Sequence, residues 1–240
     1  MRNNIADWQD EQIDGLLKAT SEAEFLTALA SAARDLGFEY CAYGMRMPLP
    51  LSNPKLVMLN NYSEAWKQRY AQENYLMVDP TVAHGMKSVL PLIWTEPVFA
   101  ATGPMWEDAR AHGLKVGWAQ SSYNAMGVGG LLTLARSNEA LSATELRDNS
   151  SSMSWLVQVA HEGMVRLLAA KRPPEKLVAL TAREIEVLRW TADGKTSGEI
   201  GQIMNIAERT VNFHVNNSLE KLGAVNKTAC VIKAAMLRLL

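Results

Sequence analysis

The sequence predicts two halves of different build. The first is α+β, an antiparallel sheet flanked by helices as an α-β-α sandwich, and the second is an all-α domain of four helices. Three observations predict this. Short β-rich runs alternate with helical spacings as far as residue 135, and a long helical pattern then closes the first half. Beyond residue 180 only helical spacings and their caps remain. Between the halves, residues 171–176 read KRPPEK, and consecutive prolines cannot continue a helix. The expected division is 1–170, a linker over 171–178, and 179–240.

Ser21 and Glu24 open a helix whose Phe25, Leu29, Ala32 and Leu36 recur at helical spacing until Gly37 stops it. Strands are expected at 38–45 (FEYCAYGM), 55–60 (KLVMLN), 114–123 (LKVGWAQSSY) and 129–135 (GGLLTLA). A hairpin turn over 124–127 joins the last two. Helical pieces over 63–73, 80–87 and 104–112 fill the gaps. Ser142 with Glu145 then caps a long helix carrying Leu146, Met153, Leu156, Val159, Met164 and Leu167.

In the second half, Thr181 with Glu184 and Thr196 with Glu199 form two capping boxes. Ile185, Leu188 and Ala192 line the first of these helices, which Gly194 ends. Ile200, Ile203 and Met204 turn inward on the second, which Asn205 ends. A third helix over 208–222 buries Val211, Val215, Leu219 and Leu222 and presents Arg209, Asn212 and Asn216 on its opposite face. A fourth over 226–239 carries Ala229, Ile232, Met236 and Leu239. Its second apolar edge, Val231, Ala234 and Leu237, is expected to pair with a second copy.

Composition sets the class. With 48% hydrophobic and 20% charged residues the chain reads as an ordinary soluble globular protein. It has no apolar run long enough to span a membrane, and its first residues, MRNNIADWQDEQ, lack the apolar core of a signal peptide. Cys41 and Cys230 stand alone, as buried thiols of a reducing cytosol would. A cytoplasmic location follows as an expectation. Residues 1–170 hold 13 Lys/Arg against 18 Asp/Glu, whereas 180–240 hold 8 against 6, so a polyanion would meet the C-terminal part. No nucleophile elbow, HExxH pair or CxxC pair occurs, and the four histidines are scattered, so neither an enzyme nor a cofactor is expected.

Two short helices joined by a tight turn, the second showing amide and guanidinium groups outward, form a helix-turn-helix pattern. Asparagine can bond two adjacent atoms of a base edge, so Asn212 and Asn216 are candidates for base reading. Arg209, Lys195 and the Thr196 hydroxyl suit phosphates. A small helical bundle with merely solvated asparagines fits the pattern equally well. The run from LTAREIEVL through GKTSGEI to TVNFHVNNSLEKLG resembles the DNA-binding domain of LuxR-type transcription regulators over about 60 residues. That resemblance favours double-stranded DNA as partner. The chain departs from the family at Ala207, where a Ser or similar cap usually precedes the recognition helix.

In the first half, Tyr62, Trp66 and Tyr70 stand four apart, followed by Asp79-Pro80 and by PLIW ending at Trp94. By themselves, aromatics at this spacing are more often core, and Asp79 before Pro80 is a sound helix N-cap. Together these residues resemble the autoinducer-binding domain of quorum-sensing LuxR proteins. The resemblance implies an N-acyl-homoserine lactone ligand. Trp66 would donate to the lactone carbonyl, Asp79 would accept the ligand amide N–H, and Tyr62 and Thr133 would meet the amide carbonyl and any 3-oxo group. Tyr70 would flank the acyl tail, and Trp94 would wall the lactone ring. A homodimer would then read two half-sites of a dyad. The same architecture sensing a non-lactone molecule or a partner protein is the alternative. Gly129 and Gly130 are expected to leave space beside the sheet for a longer acyl chain.

Overall fold

Among the described residues one antiparallel sheet is built from five strands: β1 (Tyr40–Arg46), whose burial alternates, β2 (Leu56–Asn60), β3 (Leu92–Ile93), and β4 (Val116–Tyr123) and β5 (Gly129–Arg136), which are covered on both faces. Their order is β2-β1-β5-β4-β3. On β1, Cys41, Tyr43 and Met45 turn to one face with Trp118, Leu132 and Leu134. Alternation sends Tyr40, Ala42 and Gly44 to the other face, in register with Ala135, Thr133 and Leu131 of β5. This computed structural model describes residues 5–47, 50, 53–124, 127–170 and 179–240. The chain divides into units Met1–Lys171 and Arg172–Leu240. The expected linker lies outside the described residues, as does the middle of the 124–127 turn. The ends of that turn close a hairpin, with Asn124 donating its N–H to the Val128 carbonyl at 3.1 Å.

The first face is covered by α1 (Ile5–Leu17), α2 (Glu22–Asp35) and the long α7 (Ala143–Ala170), whose Leu16, Phe25, Leu29, Leu156 and Met164 complete the larger core. The sequence did not reveal α1. Its buried stripe runs through Trp8, Gln12 and Leu16, and a glutamine in mid-stripe breaks the apolar periodicity. Ser142 caps α7 by accepting from the Glu145 N–H at 3.1 Å. The Glu145 carboxylate, which the Ser142 backbone also supports, takes Arg136 in a two-pronged ion pair of 2.7 and 2.9 Å.

The second face lies under α3 (Glu64–Gln72), α4 (Pro80–Gly85), α5 (Glu96–Phe99) and α6 (Gly103–Ala111). Short 3₁₀ turns at Tyr75–Met77 and Ala100–Thr102 connect them. The two-residue β3 and the α5 turn are too short for any periodic signal and are also absent from the sequence reading.

The second unit is four helices: α8 (Ala182–Ala192), α9 (Ser197–Met204), α10 (Glu208–Leu222) and α11 (Lys227–Met236). Both expected capping boxes form. Between α9 and α10 the chain turns on Asn205, held left-handed at φ 54°, and the Ile206 N–H returns to the Gly201 carbonyl at 2.9 Å. A methyl on Gly201 would lie 2.8 Å from the Ile206 carbonyl oxygen, so the tight turn requires glycine there. α11 stops at Met236 instead of 239, because Arg238 turns left-handed and Leu239 donates to the Ala234 carbonyl. Its expected outer edge is corrected as well. Ala234 is fully buried beside Leu188, Leu222 and Cys230, and Val231 and Leu237 pack half-buried against them.

Candidate ligand pocket and nucleic-acid interface

Four of the six residues expected to meet a ligand lie in one cluster on the second face of the sheet. Trp66 is buried there, with Tyr62, Tyr70 and Trp94 packed around it. Ser63 caps α3, accepting from the Trp66 N–H at 3.3 Å, and so fixes which way the helix aims Trp66 and Tyr70. The two rings meet edge to face at 5.6 Å. No acceptor among the described residues takes the Trp66 indole N–H.

Asp79 caps α4 and does more. Its Oδ1 accepts from the Thr81 N–H at 2.8 Å and the Thr81 hydroxyl at 2.7 Å, while Oδ2 accepts from the Tyr70 hydroxyl at 2.9 Å. The Val82 backbone also supports the carboxylate, and of the close bonds Oδ1 holds two and Oδ2 one, so Oδ2 is the oxygen that keeps about one acceptor position. Burial pushes the Asp79 carboxyl above its ordinary value, and the bonds from Thr81 and Tyr70 pull the other way. Tyr62 sits near enough for Asp79 to hold its phenol neutral, adding to the effect of burial and of Cys41. Its hydroxyl is therefore a proton donor. Burial, Asp79 and their hydrogen bond do the same to Tyr70.

Tyr70 is tied to Asp79 as well. Its hydroxyl is spent on Asp79, and only its ring remains as apolar surface. Thr133 lies buried on the same face of β5 as Ala135, between Ala42 and Ala119. Trp94 donates its backbone N–H to the Gly117 carbonyl at 2.8 Å and lays its indole across that glycine. A methyl on Gly117 would stand 2.3 Å from the Trp94 ring.

Three lining aromatics went unnoticed in the sequence. Phe99 and Trp106 stack at 4.3 Å and meet Trp94 edge-on, while Tyr75 backs Trp66 at 5.9 Å. Tyr75 is pinned by its hydroxyl, which donates to Asp108 at 2.6 Å, and Arg69 holds the same carboxylate at 2.6 Å. No spacing in the sequence linked Tyr75 to Asp108, because the contact joins the 3₁₀ turn to α6. The indole N–H groups of Trp94 and Trp106 are buried with no partner among the described residues.

The expectation for Gly129 and Gly130 is overturned. A methyl on Gly129 would come within 2.8 Å of Tyr123, and one on Gly130 within 2.3 Å of the Tyr43 hydroxyl and 2.4 Å of His161 Nδ1. That space is already filled, and on Gly130's side by the core of the opposite face. Open space lies instead at Gly44, where an added methyl would meet nothing within 4 Å.

On α10, Arg209 and Asn216 are exposed, and Val211, Val215, Ser218 and Leu222 form the buried side. Asn212 is half-buried. Its carbonyl oxygen accepts from the Ser197 hydroxyl at 2.8 Å, and Lys227 donates to that hydroxyl at 2.6 Å. Lys195 and Thr196 are exposed at the start of α9. The Thr196 hydroxyl gives its proton to Glu199 at 2.8 Å, completing the cap. Ala207 precedes α10 in cap geometry with no side-chain bond, as the sequence predicts.

A sandwich with an aromatic pocket around one carboxylate, in a chain that also carries a helix-turn-helix, defines a ligand-responsive transcription regulator. Residues 21–164 match the family model of the autoinducer binding domain, and residues 178–234 match that of bacterial regulatory proteins of the luxR family. The chain is 46% identical to the transcriptional activator protein AnoR of Acinetobacter nosocomialis, covering 97% of this chain and 99% of that protein. It is 37% identical to the regulatory protein SdiA of Escherichia coli, covering 85% and 84%. A crystal structure of SdiA matches at TM-score 0.80 and 31% identity, covering 98% of this chain and 99% of that one. SdiA in complex with octanoyl-rac-glycerol matches at TM-score 0.77 and 32% identity, covering 99% and 97%. The chain belongs to the LuxR family of quorum-sensing transcription regulators, and its partners are an autoinducer and DNA.

Proposed function

We propose that the pocket binds an N-acyl-homoserine lactone and that the liganded protein, as a homodimer, reads a dyad-symmetric promoter element. One observation carries the ligand reading. Trp66 offers an N–H that no acceptor among the described residues takes, while Asp79, about thirteen residues further along the chain, offers a remaining acceptor and no donor. The lactone carbonyl meets Trp66 and the ligand amide N–H meets Asp79. Tyr62 and Thr133 serve the amide carbonyl and any 3-oxo group, and Trp94 walls the ring. The acyl tail lies along the small residues Ala42 and Gly44 of β1.

Arg209, Lys195 and Thr196 position the domain on phosphates, and Asn216 reads bases, with Asn212 beside it. Half-sites stand about 10 bp apart, one turn of DNA, in a dimer. The protein acts without enzymatic chemistry or a cofactor and works in the cytoplasm. None of the described helices is long and apolar enough to cross a membrane.

Thermal unfolding of the full-length protein with lactones of four to twelve acyl carbons tests the reading. A ligand that binds only the folded state adds about 2.7 kcal/mol at a hundred times its Kd. The expected result is a raised Tm for at least one lactone. No rise for any lactone, with a rise for 1-octanoylglycerol, would move the assignment to a lipid without an amide.

A further inference from the structure

We propose that Phe213 reads the 5-methyl group of a thymine in the major groove and so sets a sequence preference that its polar neighbours cannot set. The inference rests on the DNA-reading role of α10. Phe213 is 59% exposed, although burying an aromatic ring is favourable. It belongs to neither apolar cluster of the second unit, and its ring meets the neighbouring His214 ring edge-on at 5.6 Å.

A single exposed apolar residue is ordinary on a protein surface. The position of this one in the helix is what gives it meaning. Arg209 lies one turn before Phe213 and Asn216 one turn after, both exposed, so the three form a single outward row. Asn212 is turned aside to Ser197. The face that α10 presents is thus cation, ring, amide.

In the major groove, base pairs offer hydrogen-bonding atoms and a single apolar group, the thymine methyl. A ring held between two polar side chains that grip phosphate or base has that methyl as its apolar partner. Neither Arg209 nor Asn216 can distinguish thymine from uracil, because the two bases present the same hydrogen-bonding atoms. Phe213 can.

The experiment uses the full-length protein with N-octanoyl-homoserine lactone present throughout. Bound duplexes are first selected from a random library. Each thymine of the enriched site is then replaced singly by deoxyuridine, which removes only the methyl. The expected result is one thymine per half-site at which the change weakens binding about fourfold, the value of one methyl group withdrawn from apolar contact. Phe213→Ala should bind both versions equally, and Phe213→Leu should keep part of the difference. Because the side chain is exposed, circular dichroism and non-specific DNA binding of both variants should match the parent. A parent protein indifferent to uracil at every thymine, or a Phe213→Ala variant with undiminished discrimination, would overturn the assignment. A selection that enriches no sequence would remove base reading by α10, and the role of Phe213 with it.

Discussion

The Tyr70 hydroxyl donates a 2.9 Å hydrogen bond to Oδ2 of Asp79, the oxygen that has an acceptor position left for a ligand. This bond holds the carboxylate in place and favours its charged form. Tyr70→Phe should therefore weaken lactone binding without removing any ligand contact. A neutral-donor bond to a charged group contributes about 1.5–3 kcal/mol, so the expected loss is about ten- to hundredfold in affinity. Titration calorimetry with the lactone that most raises the Tm measures it. Unchanged affinity would reduce Tyr70 to packing.

Asp79→Asn separates stability from binding. The folded protein holds the Asp79 carboxyl above its ordinary value, so ionisation costs stability there. That contribution is fully present below the unfolded carboxylate value and is lost as pH rises through the folded one. At neutral pH the neutral amide should leave the unliganded Tm equal or higher, since asparagine caps a helix about as well as aspartate. Lactone affinity should fall, because the charge-assisted bond to the amide N–H is gone. Affinity for 1-octanoylglycerol, which has no amide, should fall less. Equal losses for both ligands would contradict an amide partner for Asp79.

Trp66→Phe keeps the ring packed between Tyr70 and Tyr75 and deletes only the N–H. Leaving a buried acceptor unmet costs about 1–3 kcal/mol, so sensitivity to the lactone should drop about ten- to hundredfold in a reporter strain. The purified variant should keep its circular dichroism. A variant with wild-type sensitivity to every lactone would make Trp66 a core residue and nothing more.

His161 gives the fold a pH dependence of its own. Its Nδ1 lies 2.6 Å from the Tyr43 hydroxyl, and its Nε2 is buried with no partner among the described residues. Burial holds the ring's pKa below its ordinary value, though the backbone of Val128 and the charge of Glu162 oppose this. The unfolded chain then binds the proton more readily, so stability falls as pH falls below about 6.5. Thermal unfolding of the unliganded protein from pH 8 to pH 5 should show that decline. His161→Phe should flatten it, and an unchanged slope in the variant would assign the decline elsewhere.

Asn212 and Asn216, about one helical turn apart, should behave differently. Asn212→Ala leaves the buried Ser197 hydroxyl without its acceptor, at a cost of about 1–3 kcal/mol to the stability of the second unit. Asn216→Ala should leave stability alone and cost about 1–3 kcal/mol on the specific site, with non-specific binding unchanged. Equal effects of the two on specific binding, with no loss of stability, would return both to the base-reading row.

Much of this protein is legible in one dimension because its signals are local. The capping pairs Thr181–Glu184 and Thr196–Glu199 act within four residues, and both form as the spacing predicts. Alternation along β1, β4 and β5 fixes which side chains share a face, and so puts Thr133 on the same face as Ala42. The lettering of Tyr62, Trp66, Tyr70 and Asp79 carries the family resemblance, and with it the ligand class.

What the sequence could not decide depended on contacts between distant segments. α1 is helical because Leu16 and Trp8 find partners on α2 and α7, not because its own pattern is strong. Phe99, Trp106 and Tyr75 become pocket wall only when α5, α6 and the 3₁₀ turn fold over the sheet. Asn212 looks outward on a helical wheel until Ser197, fifteen residues earlier, takes its oxygen. Gly130 looks like free space until Tyr43 and His161, from a strand and a helix far away in the chain, are seen to fill it. Periodicity and caps report what a residue does to its own backbone, whereas side-chain hydrogen bonds and excluded volume depend on what the rest of the chain brings beside it.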